Sequence, residues 1–108
     1  MGRVIKAEIM EKPFDLSLTN TELYKGCIIS ETPGKLNLET PPAEATYIIG
    51  RNINTIVDKI PSLDRNEIIL TGKMAIWAYL VVFHVVVHQF RRVYYDDGKG
   101  PILIAAHG

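Results

Sequence analysis

The residues of this chain that could do chemistry are concentrated between positions 71 and 108. All of its histidines lie there, at His84, His88 and His107, and the carboxylate pair Asp96 and Asp97 falls between the second and the third. Imidazole and carboxylate side chains bind transition metals and act as general acids and bases. This segment therefore indicates metal binding or acid–base catalysis, and we interpret the rest of the chain mostly as scaffold.

Two of the histidines have the spacing of neighbours on a helix. His84 and His88 are four positions apart, so on a helix they face the same side and could chelate a metal or act as an acid–base pair. Two core or interface histidines with satisfied hydrogen bonds would have the same spacing. His107, at the end of a predicted strand, is by itself more typical of a surface histidine than of a ligand. The histidine pattern alone therefore leaves both interpretations open.

The two carboxylates precede a glycine, and the order Asp96, Asp97, Gly98 is typical of a turn. At least one carboxylate is therefore expected to hold the turn itself. A carboxylate at the end of a strand could also be a metal ligand or a base.

Thr71, Gly72 and Lys73 are expected to connect a strand to a helix. Backbone N–H groups at the start of a helix attract anions, glycine lets a ligand approach closely, and lysine adds a positive charge. An ordinary connecting turn has the same composition, so anion binding is one of two interpretations. Trp77 is most simply a core aromatic, although it could stack on a nucleotide base.

The helix that would carry His84 and His88 is predicted over residues 74–90. Its many valines favour a strand, but so long a run without a turn signal favours a helix. Because it is apolar on nearly all sides, it is expected to be buried or packed at a subunit interface. A second helix is expected to start near Pro41 and to end at Pro61.

Shorter apolar stretches are typical of strands, and they cover residues 3–10, 26–30, 35–39, 67–70, 93–95 and 102–105. A Pro-Gly turn is expected to join 26–30 and 35–39 as a hairpin. Residues 11–20 contain Pro13 and several Ser, Thr and Asn residues, so we interpret them as a connection. The pattern predicts an α+β fold with two helices and a mainly antiparallel sheet of about five to six strands.

The composition limits the class of protein. At 108 residues and 47% hydrophobic, the chain is long enough for one domain, 1–108, with its own core. Twelve basic and twelve acidic residues give a formal charge of zero, which argues against a protein that coats DNA or other long nucleic acid. The single Cys27, the lack of a signal-peptide pattern and an apolar run too short for a bilayer predict a cytoplasmic, non-membrane protein.

Several of these residues together resemble a known family. The order Thr-Gly-Lys-Met-Ala-Ile-Trp from Thr71 to Trp77 is similar to a Ser-Gly-Arg-Gly-Pro-Ile-Trp turn, and His84, Asp96 and His107 follow at matching spacing. These features resemble the third ring-nuclease family of CRISPR-associated proteins, the Csx-three type. The resemblance covers residues 60–107 well and residues 26–42 loosely, and it is carried by joint order and spacing.

The resemblance implies a ferredoxin-like homodimer that binds cyclic tetra-adenylate, the second messenger of type III CRISPR defence, with two dimers around the ring. It implies manganese-dependent cleavage of the ring, with a related activity of trimming RNA 3′ ends. Ligand-facing positions would be Thr71, Gly72, Lys73 and Trp77. His84, His88, Asp96 and His107 would be catalytic, with Asp96, His84 and His107 also binding Mn²⁺.

This chain departs from the family pattern in three places. The second helix histidine of the family comes three residues after the first, whereas here Val87 takes that position and His88 follows it. The arginine after the strand-end Asp is absent. Lys73 replaces the arginine of the turn, and a lysine cannot make the bidentate contact with phosphate that an arginine makes.

The chain ends also differ from the family. The family continues beyond its last histidine with a strand that opens Gly-X-Val-Ile, and this chain instead begins Gly-Arg-Val-Ile at residues 2–5. We expect a circular permutation, in which the N-terminal strand takes the place of the family's last strand. Three functions remain open: an enzyme that cleaves the ring or RNA 3′ ends, a module that binds the ring without cutting it, and a partner subunit whose histidines only pack.

Overall fold

The computed structural model describes residues 13–106. The predicted strand 3–10, with its proposed permutation, and His107 therefore lie outside the described residues. The described part contains six strands, two helices and one short 3₁₀ helix at Ser62–Asp64. In chain order they are β1 (Phe14–Asp15), β2 (Ile29–Thr32), β3 (Lys35–Leu38), α1 (Pro42–Asp58), β4 (Glu67–Thr71), α2 (Ile76–Gln89), β5 (Arg92–Asp96) and β6 (Pro101–Ala106).

Four of these strands form one mixed sheet in the order β1-β4-β5-β6. β1 pairs with β4, and β4 with β5, in parallel, whereas β5 and β6 are antiparallel. Helix α2 connects β4 to β5 and carries the chain back to the end of the sheet at which β4 begins. The two strands therefore run in the same direction. Strands β2 and β3 form a separate antiparallel hairpin.

The α+β class and the two helices are confirmed for the described residues, but the sheet differs from the prediction. Its strands are divided into a group of four and a group of two, and the larger sheet is mixed rather than mainly antiparallel. Short strands with turn residues between them suggested hairpins, and the crossover through α2 was not taken into account. β1 also lies inside residues 11–20, which are predicted to be a connection. That prediction is wrong for Phe14 and Asp15, because a strand of two residues has no alternation to detect, whereas residues 16–20 are turn or irregular.

Both helices contribute one face to a single core. In α1 the buried apolar residues recur every four positions, at Ala45, Ile49, Ile53 and Val57. In α2 they are Ala78, Val82 and Val86. They pack with apolar residues of β4 and β5 in one cluster, which is the usual stripe of a helix that covers a core.

The helix α2 is buried on one side only, so its predicted full burial is wrong, and its predicted packing at a subunit interface stays a prediction. Although it is apolar on nearly all sides, Ile76 and Leu80 are 78% and 63% exposed. The core occupies only one side of the helix, so the remaining apolar side chains face outward. No helix in residues 13–106 combines the length and apolar character that crossing a membrane requires.

Candidate functional site

The predicted ligand-facing turn 71–73 and Asp96 lie side by side. Thr71, the last residue of β4, is the register partner of Asp96, the last residue of the parallel strand β5. The Thr71 hydroxyl donates a hydrogen bond of 2.7 Å to the Asp96 carbonyl oxygen. The carboxyl ends of parallel strands are the usual place for ligand binding in open sheets. The structure therefore brings two of the predicted site elements together at such an edge.

Gly72 occupies a position that only glycine can take without rearrangement. Its φ is +94°, and a Cβ atom there would lie 2.5 Å from Oδ1 of Asp15. A Cβ contact below 3 Å forces a shift, and a positive φ disfavours any side chain. The turn thus packs its backbone directly against the end of β1.

The Asp15 carboxylate beside Gly72 is an ionised and well-satisfied acceptor. It accepts hydrogen bonds from the Ser17 N–H, the Ser17 hydroxyl and the Thr19 hydroxyl, each at 2.9 Å. The bond from the Ser17 N–H is the main cause that lowers the pKa of Asp15, against a smaller opposing effect of burial. We interpret Asp15 as part of the wall that holds the turn, since its oxygens are already engaged.

Two tyrosines hold the carbonyl group of Gly72. The Tyr79 and Tyr95 hydroxyls lie 2.6 and 2.5 Å from the Gly72 carbonyl oxygen and donate to it. Their rings meet edge to face with centroids 5.8 Å apart, and the Met74 N–H donates to the Tyr79 hydroxyl at 3.3 Å. The hydrogen bond with Tyr79, together with burial, raises the pKa of Tyr95 to about 12.

These tyrosines were missed as site residues by the sequence analysis. Tyr79 falls within the predicted helix 74–90 and Tyr95 within the predicted strand 93–95. Nothing in their spacing shows that both hydroxyls reach one carbonyl, because the contact joins a helix to a strand sixteen positions later.

One carboxylate oxygen of Asp96 accepts hydrogen bonds from the turn that follows this residue. Oδ1 accepts the N–H groups of Gly98 at 2.8 Å and Gly100 at 3.1 Å. Oδ2 has no hydrogen-bond donor among residues 13–106, so it can accept a proton or a ligand. Asp97 is exposed and accepts the Lys99 N–H at 3.1 Å. The interpretation of this segment as a turn is confirmed, and the role of Asp96 as a base stays a prediction.

The other predicted ligand-binding residues are the last residue of the turn, Lys73, and Trp77, which follows the turn. Lys73 is exposed, so its ammonium group faces solvent. Trp77 lies in the first turn of α2, where it is half-buried and packs against the core. Packing against the core is the simpler of the two predicted roles for this indole.

His84 and His88 form a pair, as their spacing predicts. Their ring centroids lie 5.0 Å apart with the planes at 71°. Both side chains are exposed, so neither is a core histidine of this chain. The pair could present two imidazole nitrogens to a common ligand or to another protein surface.

The histidine pair is not gathered with Asp96 in this chain. The helix α2 starts beside the 71–73 turn and ends at Gln89, three residues before β5 begins at the opposite edge of the sheet. His84 is more than two turns from the helix start, and His88 lies in its last turn. Within residues 13–106 no three His, Cys, Asp or Glu side chains are close enough to hold a metal ion. The predicted set of Asp96, His84 and His107 includes one residue outside that range.

His88 instead borders a cleft at the far edge of the sheet. The cleft has a volume of about 600 Å³ and is lined by polar and apolar residues that include Arg65, His88, Gln89 and Arg91. Two of these lining side chains are joined, because Nη1 of Arg65 donates a hydrogen bond of 2.7 Å to the side-chain oxygen Oε1 of Gln89. This cleft is not evident from the sequence, since its lining comes from the connection before β4 and from the end of α2 with the residues that follow it.

Compared with known proteins, this chain has no match among protein-family models, curated proteins or solved structures.

Proposed function

We propose that this protein binds cyclic tetra-adenylate through its 71–73 turn and cleaves the ring next to that turn. The observation that carries the proposal is the meeting of two strand ends, because Thr71, which directly precedes Gly72 and the exposed Lys73, is the register partner of Asp96. The resemblance to CRISPR-associated ring nucleases supplies the identity of the ligand. The geometry supports an anion site with a potential base beside it.

Binding would depend on local rather than overall charge. The formal net charge is zero, so a phosphodiester must be attracted by groups at the site itself. The Lys73 ammonium provides one cation, and Gly72 leaves room for the backbone to approach a phosphate. Both features suit a small anionic ring better than a long nucleic acid.

Cleavage of a ribose phosphodiester by its own 2′-hydroxyl requires a base to remove the hydroxyl proton and stabilisation of the leaving oxygen. Asp96 is the best-placed carboxylate for the first task, because its Oδ2 has no donor among residues 13–106. Asp97 lies on the exposed side of the same turn. His84, His88 and His107 are the proposed sources of a second acid or base, and His84 and His88 would have to come from a second copy in the proposed homodimer.

The manganese requirement implied by the resemblance does not fit the described residues of one chain. Residues 13–106 hold no cluster of three suitable ligands, and one oxygen of Asp96 is already bound to two backbone N–H groups. Mn²⁺ binding by Asp96, His84 and His107 remains a part of the proposal that concerns a residue outside the described range.

The ferredoxin-like arrangement and the circular permutation also belong to this proposal. They would place residues 3–10 in the sheet beside the strand that leads to His107. A cytoplasmic location, a homodimer and two dimers around the ring complete the expectation.

A second candidate is a module that binds the ring without cutting it. The separation of the helix histidines from Asp96 favours this candidate, because residues 13–106 of one chain then offer the proposed binding turn without a histidine gathered beside Asp96.

The test is to incubate the purified full chain with labelled cyclic tetra-adenylate, and separately with an RNA of free 3′ end, each with and without Mn²⁺. Linear products from the ring support the enzyme, and bound but intact ring supports the module. Shortened RNA with an untouched ring would assign the 3′-end nuclease instead. Binding of neither nucleic acid would contradict the proposal in every form.

A further inference from the structure

The peptide group between Gly72 and Lys73 is fixed on its oxygen side. The Gly72 carbonyl oxygen is within 2.6 Å of the Tyr79 hydroxyl and at 2.5 Å from the Tyr95 hydroxyl. The edge-to-face contact of the two rings keeps the hydroxyls on the same side. Two donors at one carbonyl define its direction far more narrowly than one would.

The nitrogen side of that peptide group must then face the opposite way. The described chain contains no cis peptide bond, and in a planar trans peptide the C=O and the following N–H point in opposite directions. The Lys73 N–H is therefore directed away from the tyrosines. It has no acceptor among residues 13–106, and the Lys73 side chain is exposed.

We propose that Tyr79 and Tyr95 are positioning residues, whose hydroxyls hold the Gly72 carbonyl inward and so direct the Lys73 N–H outward at a phosphodiester oxygen of the ligand. This inference rests on the proposed function, which places the ligand at the 71–73 turn. It deepens that function by assigning the recognition of the phosphate to a backbone N–H, held by two side chains that do not touch the ligand.

The arrangement explains how a turn that contains glycine could hold one orientation for binding an anion. Gly72 adopts a positive φ in this structure, and because glycine has no Cβ it would by itself leave several orientations of the following peptide accessible. The two hydroxyls select one of them before the ligand arrives, which reduces the ordering needed on binding.

The experiment compares the full-length wild type with Tyr79→Phe, Tyr95→Phe and the double variant. Tyr94→Phe is the matched control, because Tyr94 lies on the same strand with its hydroxyl 3.4 Å from Glu67 rather than at the turn. Cyclic tetra-adenylate is titrated into ¹⁵N-labelled protein, and both its Kd and the shift of the Lys73 amide resonance are measured. Thermal unfolding of each free variant shows that it is folded, and the single variants carry the test if the double variant is not.

We expect the double variant to bind the ring about tenfold more weakly, each single variant to lose less, and Tyr94→Phe to stay within about twofold of the wild type. The ring-induced shift of the Lys73 amide should shrink in the same order. If the protein cleaves the ring, KM should rise while kcat is retained, because the lost contact is made to substrate and transition state alike.

The two proposals fail in different ways. A wild type that binds the ring, together with a folded variant that has the same Kd and the same Lys73 shift, would overturn the positioning role alone. A wild type that shows no ring binding would overturn the proposed function and this inference with it.

Discussion

The two ends of helix α2 differ in how firmly their surroundings are held. At the near end, the first turn of α2 adjoins backbone that is held by several short hydrogen bonds. At the far end, the second half of α2 carries polar side chains that are mostly exposed. The near end contains Gly72, wedged against Asp15 and bonded to two tyrosines. The far end contains His84 and His88, which contact each other and the solvent.

The difference shows that residues conspicuous in the sequence and residues fixed in the structure need not coincide. The two imidazoles of the histidine pair could bind a ligand or transfer protons, but within one chain few contacts fix their orientation. The turn has modest chemistry, namely a lysine and backbone amides, but its geometry is determined by its neighbours. Preorganised groups contribute most to recognition and catalysis, so the near end is the better candidate site.

The largest effect is expected from Asp96 at the near end. Asp96→Asn should lower ring cleavage by about a thousandfold, within the range of a lost general base. The amide oxygen can still accept from Gly98 and Gly100, so ring binding should be retained. Single-turnover rates measure this, with Asp97→Asn as the control that should change little. Cleavage by Asp96→Asn at the wild-type rate would show that the base lies elsewhere, with the far-end histidines next to be tested.

The next effect concerns stability. Gly72→Ala should destabilise the fold by about 3 kcal/mol, because the new Cβ combines strain at positive φ with a clash against Asp15. Gly98→Ala has a similar φ of +103° but nothing within 4 Å of the new atom. It should therefore lose only about 1 kcal/mol. The free energies of unfolding in urea measure both losses. Equal losses would mean that a Cβ atom at position 72 does not clash with Asp15.

A smaller effect on ring affinity is expected to distinguish Lys73, at the near end of α2, from Arg91, just beyond its far end. Lys73→Ala should weaken ring binding by ~2 kcal/mol, because it removes a charged donor expected to face phosphate. Arg91→Ala removes an exposed cation from the far-end cleft and should leave the affinity nearly unchanged. Isothermal titration at two salt concentrations measures both. An equal loss in the two variants would indicate general electrostatic attraction instead of a site.

The smallest effect is a dependence on alkaline pH. The pKa of Tyr95 is raised from 10.0 to about 12 in the folded protein, so between these values the folded state keeps a proton that the unfolded state loses. Stability from this group is complete below pH 10 and is lost as the pH rises toward 12. Tyr95→Phe should flatten that part of the stability curve, whereas Tyr94→Phe should not. Parallel curves for the wild type and Tyr95→Phe would argue against the inward carbonyl bond.

Much of the fold followed from local patterns. The proline-started α1, the long α2 and the hairpin of β2 and β3 were predicted because periodicity and turn residues act over short distances. The parallel pairing of β4 with β5 was not, since it depends on how the intervening helix packs. The two-residue β1 has no local signal at all.

The candidate site divides in the same way. The turn 71–73 and Asp96 could be proposed from residue types, and their strands bring them together. The tyrosine contacts and the wedge at Asp15 could not, because each joins residues from different elements through side-chain reach. The separation of the histidine pair from Asp96 likewise depends on the direction of α2, which spacing along the chain does not reveal.

The parallel pairing of β1 with β4 has a kinetic consequence. Phe14 lies beside Leu70, and the Leu16 N–H donates to the Thr71 carbonyl at 2.8 Å, so these contacts close a loop that contains the hairpin and α1. Closing a long loop is entropically unfavourable, and such contacts form late during folding. We therefore expect native-state hydrogen exchange to show the Leu16 amide opening more readily than the amides between β4 and β5. The wall of the candidate site would then be completed last as the chain folds and lost first as it loosens.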